Sequence, residues 1–286
     1  MKNIFKGKKV LVTGHTGFKG SWLALWLVNM GAKVTGISLK DNVINSHFSN
    51  IRLKNKLTDI RLDIRNKDGL NKEIVQLKPD FVFHLAAQSL VSESYVNPTE
   101  TWETNVMGTI NLLDSLRNLK NKCNAVIITS DKCYDNVEWV WGYRETDKLG
   151  GPDPYSGSKG AAEIAISSYV RSYFSTKLNN VNIASARAGN VIGGGDWSKD
   201  RIIPDVIKSW QSQKEVILRN PNSTRPWQHV LEPLSGYLSL AVNLNRNKKL
   251  HGQSFNFGPS DNNNYKVVDL VKSMSLYSDY KKWKIN

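Results

Sequence analysis

Cysteine is scarce, with only Cys123 and Cys133 in 286 residues. Two are too few for a disulfide framework, and they lack the paired spacing of a zinc site, so no metal centre is expected and a reducing cytosol suits the chain. Long hydrophobic runs are missing as well. No stretch reaches the ~18 uncharged apolar residues that a spanning helix needs. The N-terminal MKNIFKGKKVLVTG has one short apolar run ended by glycine, so it reads neither as a signal peptide nor as a membrane span. Acidic residues are outnumbered, 25 Asp+Glu against 39 Lys+Arg, for a net charge of +14. That surplus favours anions, whether phosphates, nucleic acid or acidic lipid. Internal repeats and low-complexity tracts are absent. With 40% apolar and 9% aromatic residues, disordered and fibrous classes are excluded. The length suits one large domain or one and a half ordinary ones.

What is present begins with alternation between short β-branched runs and helical stretches. Val10-Leu11-Val12 reads as a buried strand that stops at Gly14, and a helix is expected from Phe18 to Met30, with Gly31 just past its end. Further strands are expected at Lys33 to Leu39, Asp59 to Ile64, Phe81 to Ala86, Ala125 to Ser130 and Val181 to Ala186. Strands apolar on both faces and separated by helices point to a doubly wound parallel sheet, an α/β fold of the Rossmann kind. Residues 1–187 form this first domain in the sequence reading. Beyond it, residues 188–286 turn rich in Gly, Pro, Asn and Trp, with one good helix near Pro233 to Asn243. This second part suits a smaller, irregular substrate-binding region over the carboxyl ends of the strands. The tail SMSLYSDYKKWKIN has lost the apolar period and reads as an ending or a truncation rather than a core element.

Three motifs carry chemistry. The first, Val12-Thr13-Gly14-His15-Thr16-Gly17-Phe18-Lys19-Gly20, lies between the first strand and the first helix. Glycines at 14, 17 and 20 allow a tight turn, bring backbone N–H groups against a pyrophosphate and let helix and strand pack closely. His15 stands where a smaller residue fits more easily, so it either points to solvent or touches a phosphate. Dinucleotide sites of this kind expect an acid about 20 residues further on, gripping the ribose. Strand two ends Leu39-Lys40-Asp41, where the aspartate suits NAD and the lysine would equally suit NADP. Asp63 either contacts adenine or caps its strand. The second motif is Thr129-Ser130-Asp131-Lys132 after strand five, and the third is Tyr155 with Lys159. Asp153-Pro154 starts a helix well, which places Tyr155 and Lys159 one turn apart on one face. A phenol titrating near ~10 is a poor base at neutral pH, but a neighbouring ammonium and a cationic cofactor ring both favour the phenolate.

Together VTGHTGFKGSW, HLAAQ, NVMGT, TSDKCYDN, WVWGYRE, DPYSGSK, RAGNVIGGGDW and RPWQHVLEPLSGY resemble the extended short-chain dehydrogenase/reductases, and among them the nucleotide-sugar 4,6-dehydratases of the CDP-sugar branch. The resemblance runs from Phe5 to Pro259. It implies NAD as cofactor and a nucleotide-activated hexose, CDP-glucose foremost, as substrate. The implied reaction oxidises C4, eliminates water across C5 and C6 and returns the hydride to C6. Tyr155 would take the C4 hydroxyl proton, Lys159 would hold the phenolate and the cofactor ribose, and Ser130 would bond the same hydroxyl. Asp131 would protonate the departing C6 hydroxyl, which requires a partly buried carboxyl with a raised pKa. Related dTDP-sugar enzymes carry glutamate where this chain has Lys132, so Lys132 stands as one candidate for the C5 base. As a base it would need burial or neighbouring positive charge.

The resemblance also implies a cofactor site built from Gly14, His15, Thr16, Gly17, Phe18, Gly20, Asp63, Ile64, Leu85, Ala86, Ala87 and Asn105, with Tyr155 and Lys159. Gln88, Asn190, Trp197, Arg201 and Arg225 would face the substrate, the arginines suiting phosphate. Trp227 flanks these segments, His84 reads as a structural residue at a strand end, and Cys133 has no assigned role. Members of the family continue several tens of residues further, so the substrate region is expected to be shortened. They are commonly homodimers, packing the helix after Tyr155 and the one near Asn105 to Leu119. An epimerase or reductase of the same superfamily would share Tyr155, Lys159 and the glycines, and a shortened paralogue could keep cofactor without turnover. Scattered basic residues argue against a nucleic-acid partner.

Overall fold

The structure is a computed structural model that describes residues 2–40, 45–176, 179–259 and 265–286. Asp41, expected near the cofactor ribose, lies outside the described residues.

Its centre is a sheet of seven parallel strands. Six are β1 (Lys9–Thr13), β2 (Lys33–Ser38), β3 (Thr58–Arg61), β4 (Phe81–His84), β5 (Cys123–Ile128) and β6 (Val181–Ala188). The seventh, Ser254–Phe257, pairs parallel with β6, giving the order 254–257, β6, β5, β4, β1, β2, β3. Successive side chains of a strand point to opposite faces. Accordingly Val10, Val12, Phe81, Phe83, Val126 and Ile128 enter one core, while Leu11, Val82, Ala125 and Ile127 enter the other. Burying each large side chain of this kind contributes ~1.5–3 kcal/mol, and here both faces of the strands gain it. That is why the strand segments read as continuous apolar runs. The helices Phe18–Asn29 and Leu231–Arg246 cover the first face, and Lys67–Leu77, Gly108–Arg117 and Pro154–Tyr169 the second.

Strands three and four end earlier than their apolar patterns predict. Asp63 accepts the Arg65 N–H at 2.8 Å and turns the chain away after Arg61, and Leu85 makes a last bond to Thr13 O at 3.1 Å before the loop begins. Beyond Ala188 the chain leaves the sheet, then returns to it with the Leu231–Arg246 helix and the 254–257 strand. The tail departs from the expectation of an ending or truncation with no part in a core. Trp283–Ile285 pairs parallel with Val216–Leu218, and Trp283 packs on a small third core of Val206, Trp210, Val216, Leu218 and Val271. No helix among the described residues is long and apolar enough to cross a membrane.

The sheet order reverses direction between β1 and β4, so the loops after these strands part. Ligands of doubly wound sheets bind at such a point, outside the carboxyl ends of the strands.

Candidate active site

A cavity of about 970 Å³ opens there, reaching from Ser38 and Asp63 at one end to Arg225 and Trp227 at the other. Its floor is the glycine turn after β1. Gly14 has φ +74°, and a Cβ on it would lie 2.7 Å from Ala86 N. A Cβ on Gly20 would lie 2.0 Å from Gly14 O, so the turn and the helix can approach this closely only with glycine at both places. The helix then starts at Phe18 behind Gly17, which offers no side-chain cap. The first N–H groups of the helix are thus left for an anion, with the helix dipole favouring it. Thr16, Phe18, Ile64, Leu85, Ala86 and Ala87 line the same cavity. A free helix N-terminus over a glycine cradle, at one end of a long cavity, fits a dinucleotide pyrophosphate.

Asp63 lines the same cavity, at the end it shares with Ser38 and Ile64. Its Oδ2 accepts the Arg65 guanidinium at 2.9 and 2.7 Å. Burial works against ionisation, but the Arg65 bonds outweigh it and hold the carboxyl below its usual range.

The chemical centre lies where β5 meets the Pro154–Tyr169 helix. Ser130 is extended, accepts the Lys132 N–H at 3.2 Å and so opens a short turn at Asp131–Cys133. Asp153 caps the helix, accepting Ser156 N–H at 2.9 Å and Ser156 Oγ–H at 2.7 Å, with Pro154 in the first turn. This local chemistry fixes the phase of Tyr155 and Lys159, which are 7% and 5% exposed. Lys159 Nζ lies 5.9 Å from the centre of the Tyr155 ring. Burial pushes the Tyr155 phenol up to about 12, and a hydrogen bond with Ser130 pulls the other way. Burial, assisted by the charge of Lys19, lowers Lys159 to about 8. Ser130 Oγ donates to Asp131 Oδ1 at 3.1 Å. Burial raises the Asp131 carboxyl despite the opposing charges of Lys132 and Lys19. Asp131, Lys132, Tyr155 and Lys159 share the cavity wall with Ser130, but Lys132 is exposed, so burial, one of the two conditions for its acting as a base, is not met.

Asn190, Trp197, Arg201 and Arg225 line the opposite wall. Arg201 donates to Asp196 at 2.7 Å, whereas Arg225 is exposed and, among the described residues, its guanidinium bonds the neighbouring Thr224 O at 2.7 Å.

Three expected site residues stand elsewhere. His15 is fully buried, 2.9 Å from Asp59 Oδ1, and neither faces solvent nor lines the cavity. Asn105 is buried behind the loop after β4, donating to Gln88 O at 3.0 Å and Ser158 Oγ at 2.9 Å. Gln88 turns its amide to Leu90 O and Thr101 Oγ1, both at 2.9 Å. Both side chains shape the cavity loop without lining it. His84 is a structural residue, 2.7 Å from Thr13 Oγ1, and burial lowers it to about 3. Lys19, within the glycine motif, joins the site beyond the residues expected from the sequence. It lines the cavity near Asp131 and Arg201, and burial brings its amine down to about 8. A charged residue between Phe18 and Gly20, in a turn that needs only backbone contacts, was the available signal.

The model for GDP-mannose 4,6 dehydratase matches residues 11–273. The chain is 50% identical over 286 residues to the CDP-glucose 4,6-dehydratase of Salmonella typhimurium, covering 99% of this chain and 80% of that one. To the CDP-paratose 2-epimerase of Salmonella typhi it is 27% identical, covering 94% and 84%. Among solved structures, an epimerase from Methanothermobacter thermautotrophicus superposes with a TM-score of 0.85 at 22% identity, covering 100% of this chain and 81% of that one. A dTDP-glucose 4,6-dehydratase from Streptomyces venezuelae, determined with NAD, gives 0.79 at 21% identity, covering 97% and 84%. The structural likenesses establish the same fold. The sequence matches go further, and with them the chain belongs to the GDP-mannose 4,6 dehydratase family, within the extended short-chain dehydrogenase/reductases.

Proposed function

We propose that this chain catalyses the NAD-dependent 4,6-dehydration of CDP-glucose to CDP-4-keto-6-deoxyglucose. One observation carries the reading: an aspartate with a raised carboxyl, Asp131, shares a cavity with Ser130, Tyr155 and Lys159. Epimerisation at C4 needs no acid at C6. The CDP-glucose 4,6-dehydratase at 50% identity supports the substrate.

When bound, NAD supplies the oxidant for C4, returns the same electron pair at C6, and brings a positive ring that favours the phenolate. The glycine turn and the Phe18–Asn29 helix would hold its pyrophosphate, with Asp63 toward the adenosine. Tyr155 accepts the C4 hydroxyl proton. Its phenol is protonated in the protein alone, so the Lys159 ammonium and the Ser130 hydroxyl must favour the anion during that transfer. The resulting C4 ketone acidifies C5–H. Lys132 is exposed, so water in the open cavity rather than that amine takes the C5 proton; the electron pair forms the C5–C6 double bond, the C6–O bond breaks, and Asp131 gives its proton so that water departs; C5 takes a proton back when C6 receives the hydride. Asp131 suits this role because burial raises its carboxyl and so favours the protonated form. Arg201 and Arg225 hold the substrate pyrophosphate, and Asn190 and Trp197 border the sugar.

Two buried, unpaired cysteines suit a reducing compartment, which supports the cytosol as the place of action. The family resemblance supports a homodimer. The test is incubation with NAD and a panel of CDP-, dTDP-, GDP- and UDP-hexoses, read as keto sugar by absorbance in alkali. CDP-glucose should give the most product; no product from any of them defeats the proposal.

A further inference from the structure

Glu163 lies one turn past Lys159 on the same helix and is 3% exposed. Its carboxylate gathers four elements. Oε1 accepts the Thr129 hydroxyl at the end of β5. Oε2 accepts Ser185 Oγ–H at 2.8 Å and Arg187 Nη2–H at 2.7 Å from β6, and Ser254 Oγ–H at 3.1 Å from the seventh strand. Arg187, also 3% exposed, donates from Nη1 to Tyr134 Oη at 2.7 Å and to Glu145 O at 2.9 Å. Thr129 precedes Ser130, and Tyr134 follows the Asp131–Cys133 turn, so the network grips both ends of the segment that carries the proposed acid.

We propose that Glu163 is a positioning residue: with Arg187 it locks the helix of Tyr155 and Lys159 against the strand end of Ser130 and Asp131, and its buried negative charge keeps Lys159 an ammonium. A purely structural clamp would hold the two elements without acting on the charge of Lys159. The carboxylate adds a charge that acts on Lys159 through a poorly solvated interior. The ionisable groups set around Lys159 are Lys19 from the glycine turn, His84 from β4, Cys133 from the short turn after β5, and Tyr155 and Glu163 from its own helix. Lys19 disfavours its positive charge and Glu163 favours it. Removing Glu163 therefore lets the Lys159 proton leave at a lower pH.

Lysine carrying ¹³C at the ε position reports this directly by NMR titration of the protein alone, with Lys159→Arg used only to assign the signal. In the wild type the midpoint should lie near pH 8. In Glu163→Gln it should fall by about one pH unit, and Glu163→Asp should recover at least half of that shift. Glu163→Gln leaves Arg187 buried without its anion, so the double variant Glu163→Gln, Arg187→Met keeps the test alive if the single variant fails to fold; its midpoint should fall as well. With NAD and CDP-glucose, the alkaline limb of kcat should move down with the midpoint while KM stays within about twofold. A midpoint unmoved in the double variant overturns the proposal, as does an alkaline limb that stays fixed while the midpoint moves. The second half of the test rests on the function proposed above, and a wild type that makes no keto sugar defeats that function while the titration still judges the coupling.

Discussion

The two walls of the cavity are built differently. On the sheet side, Ser130, Tyr155 and Lys159 are buried and are set by a capped helix and a strand end. On the far side, Arg201 keeps a third of its side chain in solvent and Arg225 is exposed. The groups proposed to move protons are fixed before any ligand arrives, whereas those proposed to hold charge stay adaptable. A misplaced base slows every turnover, while a loose arginine mainly weakens binding. Substitutions on the sheet wall should therefore lower kcat and those on the far wall should raise KM.

The largest effect should come from Tyr155→Phe, which removes the proton acceptor and leaves the ring packed. Keto-sugar formation should drop by roughly 10³-fold with the far-ultraviolet circular dichroism unchanged. Asp131→Asn should cost roughly 10²-fold in dehydration and yet permit the first oxidation, so reduced cofactor should accumulate in single-turnover absorbance. If that variant makes the 4-keto-6-deoxy product at the wild-type rate, the acid role fails and the contrast between the walls fails with it. On pH, Lys159 is an ammonium below about 8 and loses its charge above. Activity that needs this cation should thus be flat near neutrality and decline by up to ~10-fold for each unit above that midpoint.

Across the cavity, Arg201→Ala should raise the KM for CDP-glucose by roughly 10-fold and Arg225→Ala by roughly 3-fold, each with kcat nearly unchanged. The order follows from Asp196, which aims Arg201 at 2.7 Å, while no acid orients Arg225 among the described residues. Initial-rate kinetics on the two variants would check it. A collapse of kcat in either would mean that the far wall also positions the reacting carbons.

The sheet wall was the more legible of the two in sequence because local rules decide it. Asp153-Pro154 caps a helix by its own chemistry, and the apolar strand runs follow from burial on both faces. His15 was misread because its place depends on residues far along the chain. Gly36 lacks a Cβ that would fall 2.2 Å from the His15 ring, and Asp59 of β3 supplies the partner at the far edge. A lone histidine in a glycine turn carries no mark of either. Gln88 and Asn105 stand away from the cavity for a similar reason: the Asn105 amide bonds the Gln88 backbone N–H and O, while the Gln88 side chain turns to Leu90 and Thr101, partners that no local pattern marks. The tail was hidden because a three-residue strand has too few positions to show a period, and its partner Val216–Leu218 lies far back in the chain.

That late strand sets the mildest prediction. Trp283 is half-buried against Val216 and Leu218, and these line the cavity on their other side. Lys282 O accepts the Val216 N–H at 3.1 Å and the Trp210 indole N–H at 3.0 Å, so the backbone would still hold the strand in place after the indole is lost. Trp283→Ala should then cost ~1–2 kcal/mol, less than for a fully buried tryptophan because part of the ring already meets water. The loss should appear in denaturant unfolding and as a KM raised roughly twofold, with kcat and the Lys159 midpoint unmoved. A matching drop in kcat would mean that the small third core props up the sheet wall as well, and the two walls would have to be treated as one mechanical unit.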